Sequence, residues 1–169
     1  MLSHFPEHAF LIHIKSNDPV EGERLAEYLA QLPESRVAQL AVYGGDLPIA
    51  KLKEKMPNLR VMSKETLKSC LLSYMAMGWT GAMPSSCKHT QLHIPEKYTS
   101  YLWGYPSKFL KRMENVDTRV ILVAGKGTWS EGFDQAQDLE RIPKNYTGGI
   151  WTNRIDRIAP VVKGVNGKE

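Results

Sequence analysis

The sequence of 169 residues contains no long apolar run. No stretch approaches the roughly 18–20 apolar residues that a membrane-spanning helix needs. The opening "MLSHFPEHAF" also lacks the charge and apolar pattern of a signal peptide. These absences predict a cytoplasmic chain as written, while an export signal or membrane anchor on a lost N-terminus would be compatible with the same sequence.

Cysteine is scarce, because Cys70 and Cys87 are the only two. Their spacing does not form a metal-binding motif. Cys70 lies inside an apolar stretch with helical spacing, where we expect a buried thiol, and a disulfide is the alternative that no sequence feature supports.

Strong charge of one sign is also missing. The net charge is +4, and Lys and Arg are spread along the chain rather than gathered in one basic run. This pattern disfavours a nucleic-acid partner and is compatible with a small anionic ligand.

Several motifs that carry chemistry are absent. "AGKGTWSEG" has its glycines at the wrong spacing for a phosphate-binding loop, and no G-x-S-x-G nucleophile elbow occurs. No pair of carboxylates follows the candidate strands, since Asp46 is interpreted as a helix cap and Asp156 as a surface group.

Alternation of apolar and helical segments is the dominant pattern that the sequence does have. Six segments are predicted as strands: residues 10–15, 36–43, 59–62, 79–83, 119–124 and 148–152. Helices are predicted between them at residues 19–32, 47–56, 64–77, 106–115 and 130–142. This order predicts a single domain over residues 1–169 with a parallel sheet covered by helices.

Two architectures fit this pattern. One is an open, doubly wound sheet, and the other is part of a (β/α)₈ barrel, which needs about 250 residues when complete. Six units at roughly 30 residues each account for about 180 residues, close to this chain, so the pattern leaves the choice open.

The candidate ligand site lies at the carboxyl ends of the strands, where parallel sheets bind their ligands. Five of the six strand ends carry a cation within a few residues, which favours an anion such as phosphate. The candidate phosphate-binding residues are Lys15, Lys64, Lys126, Asn153 and Arg154. Lys15 is the most informative, because an ammonium at the end of a buried strand needs a partner or a ligand.

Histidines and aromatic residues give weaker signals. His13 alternates with Lys15 and therefore points to the same side of its strand. His89 and His93 have the spacing of a zinc pair, but Pro95 argues against a helix there and no third ligand is near. The aromatic segment at residues 98–109 is compatible with a lid, a membrane-surface contact or a plug in the side of the fold.

Three segments together resemble the C-terminal three-quarters of the glycerophosphodiester phosphodiesterase family: "FLIHIKSNDP", "RVMSKETLKSCLLSYMAMGWTG" and "GGIWTNRIDRIAP". The resemblance implies a partial TIM (β/α)₈ barrel with six βα units that correspond to strands three to eight. It also implies hydrolysis of glycerophosphodiesters to glycerol 3-phosphate and an alcohol, assisted by Ca²⁺ or Mg²⁺. It places Lys15 at the family's phosphate-side lysine, His13 at a metal-binding glutamate position and Asn153 at an aspartate position.

The family's His-Arg pair and Glu-x-Asp metal motif have no counterpart before "FLIHIK", which only nine residues precede. Phosphodiester cleavage needs a proton donor and ligands for the metal. We therefore expect a truncated domain that is inactive alone and whose first two units would come from a missing N-terminal fragment. The alternatives are a non-catalytic phosphate-binding α/β module and a pseudoenzyme that uses the aromatic segment to contact a partner or a membrane.

Overall fold

Parallel strands alternate with helices along the chain. The computed structural model describes residue 2 and residues 4–125 and 131–166, with side chains up to residue 162. The strands are β1 (Phe10–Ile14), β2 (Leu40–Gly44), β3 (Arg60–Met62), β4 (Gln91–Pro95), β5 (Arg119–Val123) and β6 (Gly149–Ile150). The α-helices are α1 (Pro19–Leu29), α2 (Glu34–Val37), α3 (Asp46–Lys55), α4 (Lys64–Met77), α5 (Ser107–Glu114) and α6 (Ile155–Asn166). Short 3₁₀ helices span Gly78–Thr80, Ser85–Cys87, Glu96–Tyr101 and Ala136–Arg141.

The strands form two three-stranded parallel sheets, ordered β1-β2-β3 and β4-β5-β6. Ile12 lies opposite Val42 in the first sheet, and Ile94 lies opposite Leu122 in the second. Between the sheets, a single parallel bridge joins Val61 to Thr90.

The expected partial TIM barrel is therefore wrong. Its six strands are divided between two sheets, and the described part of the chain contains no closed barrel. The physical reason lies at the junction, where β3 is only three residues long and pairs with β2 along its length but meets the next strand at one bridge. The expectation of parallel strands connected by helices is confirmed.

One predicted strand was assigned to the wrong segment. Residues 79–83 were expected to form a strand, but Gly78–Thr80 is a 3₁₀ turn that ends at Gly81 with a φ of 86°. The strand lies instead at β4, which contains the apolar residues Leu92 and Ile94. It was not predicted because His89, His93 and Pro95 interrupt the apolar pattern there. The side chains of Leu92 and Ile94 are both fully buried.

The helices follow their capping signals more closely. Asp18 accepts a hydrogen bond from the N–H of Val20 at 3.0 Å and begins α1 ahead of Pro19. Ser63 and Thr66 form a reciprocal capping box at the start of α4, which has the predicted bounds. The helix expected at residues 130–142 is reduced to the 3₁₀ segment Ala136–Arg141 in the part that is described.

The two cysteines form a disulfide that links α4 to the 3₁₀ turn Ser85–Cys87. Both residues are fully buried in the apolar core beside the second sheet. The expectation of burial is confirmed and that of a free thiol is wrong, because the pairing depends on a turn that follows α4 and returns to it. Among the described residues, no helix has the length and apolar character needed to cross a bilayer.

Candidate functional site

A cavity of about 1170 Å³ lies where the carboxyl ends of the strands converge. Each of the six strands contributes a lining residue within two residues of its carboxyl end: His13, Tyr43, Met62, His93, Val123 and Trp151. This is the position at which parallel α/β sheets bind ligands. The cavity is therefore the candidate functional site.

Four aromatic rings from different strands form a row along this cavity, which we call the ring row (His13, Tyr43, His93 and Trp151). The rings of His13 and Tyr43 are stacked, with centroids 4.1 Å apart and planes 8° apart. Tyr43 and His93 follow at 5.8 Å, and His93 and Trp151 at 5.4 Å. Burial raises the pKa of Tyr43, so its hydroxyl stays protonated and can act as a donor.

His93 is the buried member of the ring row, with 4% of its surface exposed. Burial lowers the pKa of His93 to about 4, so the imidazole is neutral at pH 7. Its Nε2 lies 3.0 Å from the amide nitrogen of Gln91, which can only donate. Nε2 is therefore the acceptor, and the proton of the neutral ring is on Nδ1.

One cavity-lining residue carries a buried donor that has no hydrogen-bond partner among the described residues. It is the indole N–H of Trp151. Buried polar groups are nearly always hydrogen-bonded, so an unpaired donor beside a cavity indicates an acceptor in the bound ligand or in water.

The beginning of α4 forms a charged end of the cavity. Lys64 and Lys68 are exposed one turn apart and line it together with Ser63 and Asp46. Asp46 was expected to cap its own helix, α3, but its Oδ1 accepts the N–H of Glu65 at 2.9 Å in α4. Hydrogen bonds from Ser63 and from that backbone N–H lower the pKa of Asp46, so the carboxylate is ionised.

The remainder of α4 forms an apolar wall. Leu67, Leu71, Leu72 and Met75 follow one another along the helix at spacings that share one face, and all four line the cavity. Leu102 adds to the same wall from the segment after the 3₁₀ helix Glu96–Tyr101. One helix thus supplies both a cationic end and an apolar side to the same cavity.

The sequence-predicted residues are distributed unevenly around this site. Lys64 and His13 line the cavity, and Lys15 lies exposed just beyond β1 without being a lining residue. Asn153 and Arg154 also lie outside the lining. Lys126 lies outside the described residues.

Asn153 and Arg154 are occupied by neighbouring carboxylates. The backbone N–H of Asn153 donates to Asp134 Oδ1 at 2.7 Å, and its side-chain amide donates to Asp134 Oδ2 at 3.1 Å. Arg154 donates through Nε and Nη2 to Asp156 at 3.1 and 2.8 Å. Burial raises the pKa of Asp134, but hydrogen bonds from Asn153 and Thr152 outweigh it and leave the pKa below its usual value.

A divalent cation remains a prediction from the family resemblance. The described ranges contain no group of three or more His, Cys, Asp or Glu side chains placed to hold a metal ion. His13 itself stacks on Tyr43 rather than pointing toward a set of carboxylates.

Sequence reasoning did not identify His93, Trp151 or Lys68 as site residues, and it placed Tyr43 at a strand end without assigning it a role. The signal for Tyr43 is its aromatic ring near the end of the apolar strand "LAVYG", whereas His93 lies at the centre of "QLHIP", a strand that was not predicted. The signal for Lys68 is its one-turn spacing from Lys64 on a helix whose cap is plainly visible in the sequence.

No protein-family model and no curated protein matches this chain. Fold and cavity together define a mixed α/β protein with a ligand-sized site at the carboxyl ends of parallel strands. The glycerophosphodiester phosphodiesterase resemblance stays a hypothesis.

Proposed function

We propose that this protein is a binding module for a small amphiphilic anion, with a phosphate group at one end and an apolar body at the other. The observation that carries the proposal is the division of α4 into a cationic beginning, at Lys64 and Lys68, and an apolar face along the same cavity. A phosphate fits the first part because the two ammonium groups attract negative charge.

The rest of the cavity accommodates an acyl chain or a similar apolar group. A volume of about 1170 Å³ is of the order seen for cavities that hold drug-sized ligands. The unpaired indole N–H of Trp151 would then bond to an ester or hydroxyl oxygen between the two ends, where the neutral imidazole of His93 also lines the cavity. A lysophospholipid combines these three features in one molecule.

Binding can be tested by calorimetry with a lysophospholipid that carries a phosphate monoester, kept below its micelle concentration. Replacing both Lys64 and Lys68 with Ala should weaken its binding roughly tenfold or more, because two charge contacts to phosphate are lost. Binding of an uncharged monoacylglycerol should change much less. Inorganic phosphate alone should bind weakly, since it makes no contact with the apolar wall.

The matched control is the pair Lys51 and Lys55, which lie at the same spacing on α3, pair with Glu54 and Glu27 and do not line the cavity. Replacing both with Ala should leave lysophospholipid binding unchanged. Equal losses in the two double variants would refute a local site, and so would a lysophospholipid that binds no better than the uncharged lipid.

Hydrolysis is the competing function, because the family resemblance implies it. The chain lacks the His-Arg and Glu-x-Asp motifs ahead of "FLIHIK", so we expect no release of glycerol 3-phosphate from glycerophosphocholine with Ca²⁺ or Mg²⁺. Metal-dependent turnover by the purified chain would replace the binding proposal with an enzymatic one.

The cytoplasmic location expected from the sequence stays a prediction. The Cys70–Cys87 disulfide weighs against it, because structural disulfides persist mainly in oxidising compartments.

A further inference from the structure

An exposed apolar surface lies beside the cavity, and we call it the aromatic surface. Its members are large side chains that remain open to solvent: Leu72, Met77, Trp79, Tyr98, Tyr101 and Trp103. Trp79, Tyr101 and Leu72 are 68%, 64% and 63% exposed, which is unusual for residues of this size.

Hydrogen bonds fix Trp103 of the later segment against α4. The indole N–H of Trp103 donates to the carbonyl of Met75 at 2.9 Å, and the hydroxyl of Tyr74 donates to the carbonyl of Trp103 at 2.8 Å. Leu72 and Tyr98 both line the cavity, so the aromatic surface reaches its wall. The aromatic surface therefore consists of exposed side chains of α4, of the turn that follows it and of the segment that packs against it, and it reaches the candidate site at Leu72 and Tyr98.

The segment that carries Tyr98, Tyr101 and Trp103 also has an inner side. Phe109 is fully buried, and Tyr105 packs against Tyr146 at a ring distance of 6.1 Å. The aromatic residues of this segment thus fall into two sets, one packed in the core and one exposed to solvent. Core packing explains the first set but does not explain why the rings of the second set are open to solvent.

Charge is concentrated in the same part of the chain. Residues 66–113 contain six Lys or Arg and a single acidic residue, Glu96, a net charge of +5 against +4 for the entire chain. Glu96 lies 3.5 Å from Arg141, so it is already paired. The ammonium of Lys97 lies 4.6 Å above the ring of Tyr98, within the aromatic surface itself.

We infer that the aromatic surface docks onto a membrane that contains anionic phospholipids. Trp and Tyr favour the boundary between headgroups and acyl chains, where ring and polar tip are both satisfied. A cation close to the membrane surface, such as Lys97 beside Tyr98, adds attraction to anionic headgroups of about 1 kcal/mol. A second copy of the chain fits less well, because two surfaces with the same excess of positive charge repel each other.

This inference goes beyond the proposed function and can hold without it. A bilayer bound to the aromatic surface would lie beside the part of the cavity wall that Leu72 and Tyr98 form.

Vesicle flotation tests the inference with the full chain. The wild type should float with vesicles of phosphatidylcholine and phosphatidylserine, bind vesicles of phosphatidylcholine alone far less, and be released by high salt. The double variant Trp79→Ser with Tyr101→Ser should bind the anionic vesicles roughly tenfold less, because it removes two large interfacial side chains.

The matched control is Tyr28→Ser with Ile155→Ser, which removes two side chains that are 51% and 69% exposed on other helices. This control should bind vesicles as the wild type does. Monomeric lysophospholipid should bind the Trp79/Tyr101 variant with unchanged affinity, so failure of the membrane inference and failure of the cavity proposal can be told apart.

Three results would overturn the inference. They are equal flotation of the two double variants, wild-type flotation that does not depend on phosphatidylserine, and concentration-dependent self-association that the Trp79/Tyr101 variant abolishes. The last result would assign the aromatic surface to a second copy of the chain.

Discussion

His93 shows how strongly the environment changes the chemistry of one residue. It lies on a strand between the two apolar side chains of β4, and its ring is packed between those of Tyr43 and Trp151. This burial keeps the imidazole neutral, with its proton on Nδ1, at a pH where an exposed histidine would be partly charged. A neutral donor beside the cavity can bond to a ligand oxygen without adding charge.

The pH dependence of stability should report this burial. The folded-state pKa of His93 is about 4, against an ordinary value of 6.5 in the unfolded chain. Its contribution to stability is therefore complete above about pH 6.5 and is lost as the pH falls from there to about 4, because only the unfolded chain takes up a proton in that range. Between about pH 7.5 and about pH 5 the loss should be on the order of 2 kcal/mol in the free energy of urea unfolding.

The variant His93→Gln should remove this pH dependence while keeping a polar side chain beside Gln91. His8→Gln, at an exposed position, is the control for the loss of a histidine and should retain it. An unchanged slope in His93→Gln would show that another group is responsible for the loss at low pH.

For single residues, the sequence predicted which side chains lie near the strand ends better than it predicted what those side chains contact. His13 and Lys64 could be placed at the site because each lies next to a strand end that the apolar pattern reveals. Asn153 and Arg154 also follow a strand end, but both donate hydrogen bonds to carboxylates, Asn153 to Asp134 and Arg154 to Asp156. Asp134 reaches Asn153 only through the tertiary fold, and Asp156 reaches Arg154 only in a particular side-chain rotamer. The spacing of residues along the sequence predicts neither contact.

Packing between helices is the decisive feature at the scale of elements. Helices α1 and α3 make the most extensive helix–helix contact among the described elements, and Gly22 lies directly against the backbone of Pro48 within it. A Cβ at residue 22 would overlap the carbonyl group of Pro48. Glycine in the middle of α1 therefore permits the approach of α3, at some cost in helix propensity.

Substitution Gly22→Ala should destabilise the protein although alanine favours helices. Helix propensity alone would add about 1 kcal/mol of stability. The overlap of the new Cβ with the backbone of Pro48 should outweigh this gain and leave a net loss of about 1–3 kcal/mol. Gly149→Ala is the control, because its Cβ would meet Ile121 at an ordinary 3.4 Å. Urea unfolding of both variants measures the difference, and a stabilised Gly22→Ala would show that α1 and α3 can move apart freely.

Elements with local signals were predictable, and those defined by distant contacts were not. The bounds of α4 were predicted because Ser63 caps it and Gly78 follows it. The strand β4 was missed because its local sequence does not show a strand pattern. Its extended conformation is fixed by hydrogen bonds to β5, which begins 28 positions later. The disulfide was missed for the same reason, since it closes across a turn whose shape was predicted incorrectly.

The whole molecule is divided in the same way as its sheets. One apolar core, which includes Leu29, Val42 and Leu52, lies with β1, β2 and β3. Two further cores, represented by Phe109 and Phe133, lie with β4, β5 and β6. The βα alternation predicted parallel pairing correctly, but the division into two sheets depends on how β3 ends, which apolar periodicity does not reveal.

Several contacts cross this division, among them an ion pair between Arg60 and Asp117 at 2.8 Å and the ring contact between Tyr43 and His93. They also include the bridge between Val61 and Thr90 and hydrogen bonds from the ammonium of Lys53 to the carbonyls of Lys88 and His89 at 3.2 and 3.0 Å. Each half has its own buried core, so we expect each to open with its own free energy. The cavity lies across the division, and a ligand that contacts both halves should couple them.

Native-state hydrogen exchange of two core variants can test this division. Leu52→Ala in the first core and Met113→Ala in the second both truncate side chains that are fully buried, which typically costs about 2–5 kcal/mol. If the halves are separate cooperative units, Leu52→Ala should lower the opening free energy of amides in β1 and β2 more than in β4 and β5, and Met113→Ala should do the reverse. Both variants are of the same kind and serve as controls for each other, because a general loss of stability would lower protection throughout. Equal reductions in all strands for both variants would mean that the connections between the sheets suffice to make the molecule a single cooperative unit.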